Sequence, residues 1–597
     1  MYRARSTTNA GYTATYAALA MIRSKLPFPA EHVVEDRDLR ASGSPAPRRN
    51  FVVRILIPSL LCLLYGAQCA WFIGTQSMTA DEPEHIAAGL DAWRHGEFRS
   101  WDDQPPLARL LFALPLLDTN WRFETVAGEI EPIRPGPESW AWRARPVNVL
   151  LGFLLAGLLW TTAQRRFSAG AANFALALFV FSPALIAHFS VAAIDGVATL
   201  LIFATALQVA RWRRQPSFAE TLLLGLVLGG LLLAKFHTLP LFALAMGVVL
   251  LHKPHASLLK PWAWNWRALV IVFASAFFTV WAGYFFHVSR VTFQPGQVTA
   301  TFSGYSPPLV QHLPVSFHAK VYIPACEYLT GFGNVVHHSW VRGHRSFFLG
   351  EVSQRGGWKL YFPVVILLKW PTTVLLLAAA MLALTARRRL IWTADFRVLM
   401  FFPAFFFFFA VFSRINIGDR HILPIYPFVL LACAALWEYA RRQRALQALL
   451  VAAVLAQAAD GLRYAPDYLS YFNVFVRPER SYTLLSDSNL DWGQGLIALR
   501  RYEQQHPGEE LHLAYFGRVR PSLYGIRAAP LEETDRVTGT VVVSATHLTG
   551  QYLRNPSSDH WVLQYPRKII LNHTLHVFDV PREPHPHQQS ELGSGKM

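Results

Sequence analysis

Residues 55–73 read ILIPSLLCLLYGAQCAWFI, residues 74–80 GTQSMTA, and residues 81–85 DEPEH. An uncharged run of bilayer-spanning length therefore opens within seven residues onto an acidic pair. Carboxylates beside a bilayer are costly and tend to have a function. Apolar runs of this kind recur at roughly 147–163, 168–187, 190–210, 219–235, 238–252, 268–287, 363–386, 397–413, 421–440 and 445–459. Several are near the lower limit for a tilted span. With 53% hydrophobic residues in 597 and a mean hydropathy of +0.25, the chain is too apolar for an ordinary soluble protein. The expected fold is a polytopic α-helical membrane protein with about 11 transmembrane helices.

The net charge of +17 is distributed in a way that argues against nucleic acid. Arg165-Arg166, Arg211 to Arg214, Arg387 to Arg389 and Arg441 to Arg444 occupy every second short loop, as the positive-inside rule requires of cytoplasmic loops. The basic N-terminal fifty residues fall on the same side. An odd number of spans then puts DEPEH and the C-terminal segment outside, on a multi-pass protein of the inner (plasma) membrane. Cys62, Cys69 and Cys433 lie in apolar runs and Cys326 is alone in a loop, so no disulfide framework is visible.

Four regions follow. Residues 1–50 read as a cytoplasmic solvated tail, 51–460 as the transmembrane domain with outer loops 74–146 and 288–362, 461–583 as an extracytoplasmic α/β domain, and 584–597 as a second tail. DEPEHIAAGLDAWRHG is expected to be a helix capped by Asp81, with Glu84 as the reciprocal acid. PPLARLLFALPLL reads as a proline-started amphipathic helix on the membrane surface. SYTLLSDSN, LHLAYFG, GTVVVSATHL and TLHVFDV read as strands, and GQGLIALRRYEQQ as a helix between them. The run FFPAFFFFFAVF (Phe401 to Phe412) reads as lipid-facing or packing material.

A carboxylate at the outer surface can take a proton from a hydroxyl nucleophile. If the leaving group is phosphate, it departs as an anion, and the need shifts to cations that stabilise it. Candidates at the outer span ends are Arg145, Lys235, Lys369 and the Arg420-His421 pair; Asp195, preceded by His188, is a further acid there. Plainer readings stand beside these: a helix cap for Asp81, snorkelling lysines for Lys235 and Lys369, and flanking charges for Arg420 and His421. In SDSNLDWGQ, residues Asp487, Asn489, Asp491, Trp492 and Gln494 either line a sugar or acceptor groove or build a polar strand-to-helix turn. The spacing of His337, His338 and His344 fits no tetrahedral metal pattern, and no glycine-rich phosphate loop follows a strand. No cofactor is expected, and nothing supports a divalent metal.

DEPEH with the following QPPL (Gln104 to Leu107) resembles the first-loop signature of GT-C type membrane glycosyltransferases. The branch it looks like holds the bacterial relatives of protein O-mannosyltransferases and lipid A aminoarabinose transferases. SPALIAHFSVAAIDGVATL (182–200), GLVLGGLLLAKFHTL (225–239), FLGEVSQRGGWKLYFPVVILLKWP (348–371), RINIGDRHILPIYPF (414–428) and YLSYFN with LLSDSNLDWGQGL (468–496) extend the likeness from about 79 to 550. The resemblance implies a GT-C fold and inverting transfer of a sugar from a polyprenyl-phosphate donor to an extracytoplasmic hydroxyl: protein Ser/Thr, glycolipid or envelope glycan. By it, Asp81 matches the base and Glu82 a neighbour that helps hold the acceptor. Lys235, Arg420 and His421 match the phosphate site, with His85, Gln104, His188 and Asp195 around the cavity. Many relatives carry His before the Pro-Pro step where this chain has Gln104. A transporter or flippase of lipid-linked saccharides is the other class considered. It predicts inverted repeats and midplane charges, whereas this chain has no visible repeat and its ionisable residues gather at one face.

Overall fold

The computed structural model describes residues 32–33, 51–98, 104–118, 120–252, 261–294, 297–300, 316 and 318–581. The expected tails at 1–50 and 584–597 thus lie outside the described residues, save His32–Val33, a short strand parallel to Leu390–Ile391.

Each of the eleven apolar runs is helical. Seven are long and apolar enough to span a bilayer: Val52–Thr75, Pro137–Arg166, Ile194–Arg214, Asn265–Gly283, Ala394–Val411, Asp419–Tyr439 and Arg444–Leu462. Two more qualify only as bent pairs, Ala169–Val180 with Pro183–Phe189 at 66° and Tyr361–Lys369 with Thr372–Ala386 at 114°. Pro183 and Pro371 sit at those breaks, where a proline interrupts the hydrogen-bond ladder. The remaining two, Phe218–Ala234 and Phe236–Leu251, are shorter. The expected count of about eleven is therefore a count of apolar helical stretches, of which up to nine are spans by length and composition.

Two spans form the axis of the bundle. In Ile194–Arg214 and Asp419–Tyr439, 78% of the apolar window is buried, against 17% in Val52–Thr75. Asp195 and Arg420 stand at the N-terminal ends of these spans and Arg211, Arg213, Arg214 and Arg441 at the other, separated by roughly 30 Å at 1.5 Å per residue. The basic loops meet at that far end: Arg214 pairs with Asp395 at 2.6 Å, Arg166 lies over Phe396, and Ser168 donates to Glu438 at 2.8 Å.

The segment between the first two spans is built on the helix Glu82–His95. It packs on Leu107–Ala113, whose Ala108, Phe112 and Ala113 are buried together with Leu116 beyond it. The second helix is thus enclosed by its neighbours instead of lying flat as a surface helix; its proline start is as expected. An antiparallel hairpin, Arg122–Val126 with Glu129–Arg134, completes this segment.

The C-terminal domain carries a five-stranded mixed sheet in the order Ala529–Pro530, Leu511–Ala514, Gly539–Ser544, Leu575–Val580, Arg567–Leu571. Its first three strands are parallel and its last two pairings antiparallel. Val541, Val542 and Val543 fill the central strand and are wholly buried, the pattern of a strand covered on both faces. The helix Leu496–Gln505 lies where it was expected. SYTLLSDSN differs: it forms two 3₁₀ turns, Pro478–Thr483 and Asp487–Asn489, not a strand. Its Ser and Asp side chains bond to nearby backbone and compete with ladder pairing.

Candidate active site

Asp81 occupies the N-cap position of Glu82–His95, yet its side chain caps nothing. It reaches away to Arg420, whose Nη1 donates to Asp81 Oδ2 at 2.8 Å. The same Arg420 Nη1 stands 3.8 Å from Asp195 Oδ2, and Lys235 Nζ donates to Asp195 Oδ1 at 2.6 Å. Four residues distant in sequence thus form an alternating chain of two carboxylates and two cations. Trp492 lies beneath it, its ring centroid 4.0 Å from the Arg420 guanidinium carbon.

Three members of that chain, Asp195, Lys235 and Arg420, line a cavity of about 410 Å³, and Asp81 stands outside the lining, bonded to Arg420. Asp195, Lys235, Arg420 and His421 line one part of it, while Phe332, Phe362, Phe406 and Phe409 are among the apolar residues that line the rest. Part of the phenylalanine run is therefore wall of the site, contrary to the expectation that it is only lipid-facing or packing material. The helical period explains the split: Phe406 and Phe409, one turn apart, line the cavity, whereas Phe408 is 58% exposed. His237 and Ser339 also line it and were not singled out from sequence. His237 lies within the quoted GLVLGGLLLAKFHTL stretch, which could have flagged it; no sequence signal marks Ser339.

The Asp81 side chain keeps 26% of its surface exposed. Burial pushes its carboxyl up, but the charges of Arg420, His85 and Arg518 outweigh this and hold it below the usual carboxylate range. Glu82, the next residue, is fully enclosed. Arg145 Nε and Nη2 donate to its two oxygens at 2.9 and 2.8 Å, and backbone N–H groups of Ala192 and Thr79 each add a bond of 2.7 Å. Burial raises the Glu82 carboxyl and the Arg145 guanidinium more than offsets it, so it too stays ionised. Arg145 spends its other donors on the carbonyls of Gln76 and Ser77. This pair holds the loop that carries Asp81, and its enclosure leaves neither Glu82 a face for an acceptor nor Arg145 one for a phosphate.

Other expected site residues fall into supporting positions. Lys369 is buried and donates to the carbonyls of Leu469, at 3.0 Å, and Asn489, outside the cavity lining. His188 Nε2 meets Asp419 Oδ1 at 3.1 Å and so braces the residue beside Arg420. His85 is buried one helical turn after Asp81, and Gln104 lines a separate recess with Arg109 and Tyr284. None of the three lines the main cavity, and His85, one turn along the same face as Asp81, acts on that carboxylate through its charge.

SDSNLDWGQ acts mostly as a clasp. Ala80 N–H donates to Trp492 O at 2.9 Å and Ser77 N–H to Gln494 O at 3.0 Å, which ties the Asp81 loop to the outer domain. Gly493 makes the turn possible: its φ is +86°, and a Cβ there would stand 2.7 Å from Gly517 Cα. Asn489 donates to Tyr361 and accepts from the Asp419 N–H, Asp491 accepts from the N–H groups of Gly493 and Thr546, and Gln494 accepts from Trp492 N–H. These three are spent internally and line no groove. Tyr552 donates to Asp487, and burial pushes the Asp487 carboxyl up against the Arg420 charge. His338 and His344 stack at 5.6 Å, and among the described residues no group of three His, Cys, Asp or Glu side chains is placed to hold a metal.

Residues 138–281 match the dolichyl-phosphate-mannose-protein mannosyltransferase family. Solved structures similar to this chain include ArnT from Cupriavidus metallidurans bound to undecaprenyl phosphate, at 12% identity and a TM-score of 0.43 over 88% of this chain and 99% of that one. The S. cerevisiae protein O-mannosyltransferase Pmt1-Pmt2 complex bound to the sugar donor is similar at 10% identity and a TM-score of 0.44 over 74% of this chain and 94% of that one. No curated protein matches the chain. The matched segment runs from the helix that bears Arg145 through the segments that bear Asp195 and Lys235, and the described residues hold seven helices long and apolar enough to cross a membrane.

Proposed function

We propose that the protein transfers a sugar from a polyprenyl-phosphate carrier to a hydroxyl acceptor on the extracytoplasmic side of the inner (plasma) membrane, with inversion at the anomeric carbon. The observation that carries this reading is the Asp81–Arg420–Asp195–Lys235 chain, whose last three members line an apolar cavity. Phenylalanine walls suit a greasy carrier, and paired cations at their head suit the phosphate. The solved ArnT bound to undecaprenyl phosphate points to the same class of ligand. The sidedness follows from the basic loops at the opposite end of the bundle.

In the transfer the acceptor oxygen forms a bond to the anomeric carbon as the bond from that carbon to the phosphate oxygen breaks. The acceptor proton goes to Asp81, and the phosphate leaves as an anion held by Lys235 and Arg420. No carboxylic acid is needed to protonate the leaving group, so one base suffices. Arg420 links the two halves. While Arg420 donates to Asp81, with Asp195 3.8 Å away, the Asp81 carboxylate is a weak base; phosphate that takes a share of the guanidinium raises its basicity where the proton is released.

The test is incubation of the purified protein with a panel of polyprenyl-phosphate sugars and extracytoplasmic acceptors, followed by mass spectrometry and anomeric NMR of the product. A product with the anomeric configuration opposite to the donor's is expected. Retention of configuration, or carrier movement across vesicles with no sugar transfer, overturns the reading.

A further inference from the structure

The cavity has a second polar group opposite in character to its cations. Both ring nitrogens of His237, Nε2 of His421, Oγ of Ser339 and Nε of Arg420 are buried without a hydrogen-bond partner, and all four residues line the cavity. Ser339 is 7% exposed and Arg420 8%. They come from three separate segments: the turn after Phe218–Ala234, the turn His337–Arg342 and the start of Asp419–Tyr439. Buried polar atoms left unpaired are costly, and this many converging on one space suits a polar ligand there.

A phosphodiester meets only part of this need. Its free oxygens accept and do not donate, so Lys235 and Arg420 can serve them. A neutral imidazole offers one donor and one acceptor, and a serine hydroxyl does the same. Such groups match sugar hydroxyls, which also both donate and accept. Charge narrows the class further. Asp195 is the one carboxylate among the described lining residues, and Lys235 holds it at 2.6 Å; Asp81 beside it is held by Arg420. A sugar bearing an ammonium would meet two cations, and the carboxylate that lines the cavity, Asp195, is already held by Lys235.

On the polyprenyl-phosphate reading above, we infer that His237, Ser339 and His421 read the hydroxyls of the transferred sugar, and that this sugar is an uncharged polyhydroxyl ring and not an amino sugar. The test compares binding of three probes to the full-length protein in detergent: a polyprenyl phosphate, the same lipid bearing a neutral hexose, and the same lipid bearing an amino-pentose. The hexose lipid should bind about tenfold tighter than the bare carrier, and the amino-pentose lipid no tighter than it. His237→Ala and, separately, Ser339→Ala should remove most of the hexose gain while leaving bare-carrier affinity within about twofold. A tighter amino-pentose lipid, or variants that weaken both lipids equally, overturns the inference alone. If the bare carrier does not bind, the donor reading itself falls and this inference with it.

Discussion

Glu82 meets Arg145 through contacts of 2.9 and 2.8 Å with both side chains at 0% exposure, while Asp81 meets Arg420 through a single contact of 2.8 Å and stays 26% exposed. The two acids are adjacent in the chain and their environments differ in every other respect. Every donor of Arg145 is used within the protein, and the Glu82 oxygens each take a backbone N–H as well. Arg420 keeps its Nε free and shares its charge with Asp195. A closed, satisfied ion pair contributes architecture; an open one at a cavity head can exchange partners with a ligand. A helix begins between the two residues, and that geometry separates their roles. Asp81 remains in the loop, facing the bundle axis, and Glu82 is the first helical residue, turned into the protein.

The sharpest way to break this contrast is to remove one charge from each pair. Asp81→Asn should lower the transfer rate by about 10²–10⁴-fold with the thermal midpoint near that of the wild type, since general-base catalysis contributes on that scale. Turnover assays alongside thermal unfolding in detergent read both, and substantial activity in Asp81→Asn would remove it as base. Glu82→Gln should do the reverse in kind. Leaving Arg145 buried without its counter-charge costs about 3–5 kcal/mol, so the variant should be poorly stable and lose activity through misfolding. A stable Glu82→Gln protein with a selective defect in acceptor KM would return Glu82 to the site.

A smaller effect distinguishes the lysines. Lys235→Ala should raise the donor KM about tenfold or more, the scale of a hydrogen bond to a charged group, because its ammonium faces the cavity. Lys369→Met should leave donor KM unchanged and lower stability, because its donors go to carbonyls of the 469 and 489 turns. The smallest expected change is at Trp492. Replacing it by Leu removes a cation–π contact of about 0.5–2 kcal/mol beneath Arg420, a rate loss of a few-fold with the clasp hydrogen bonds, which use only its backbone, intact.

Spans, the side on which basic loops gather, the helix after DEPEH and three strands of the outer domain were all legible from residues in order. Each depends on local periodicity or on a composition rule that acts within one segment. SYTLLSDSN forms 3₁₀ turns where its pattern predicts a strand, because serine and aspartate side chains divert the backbone from a ladder, an effect that depends on which neighbours are near. Motif resemblance brought Asp81, Lys235, Asp195 and Arg420 into one list, whereas charge at a span end alone also admitted Arg145 and Lys369.

What only the tertiary structure decided is which of those charges still has capacity to bind something. Sequence determines that an arginine stands at position 145 and another at 420, each at the mouth of a span. Burial and competing carbonyls then consume the first entirely, and the second, over Trp492 and between two carboxylates, keeps a free donor aimed at the cavity. The physical reason is that a charged group's availability is set by how many of its hydrogen bonds its three-dimensional neighbours have already taken.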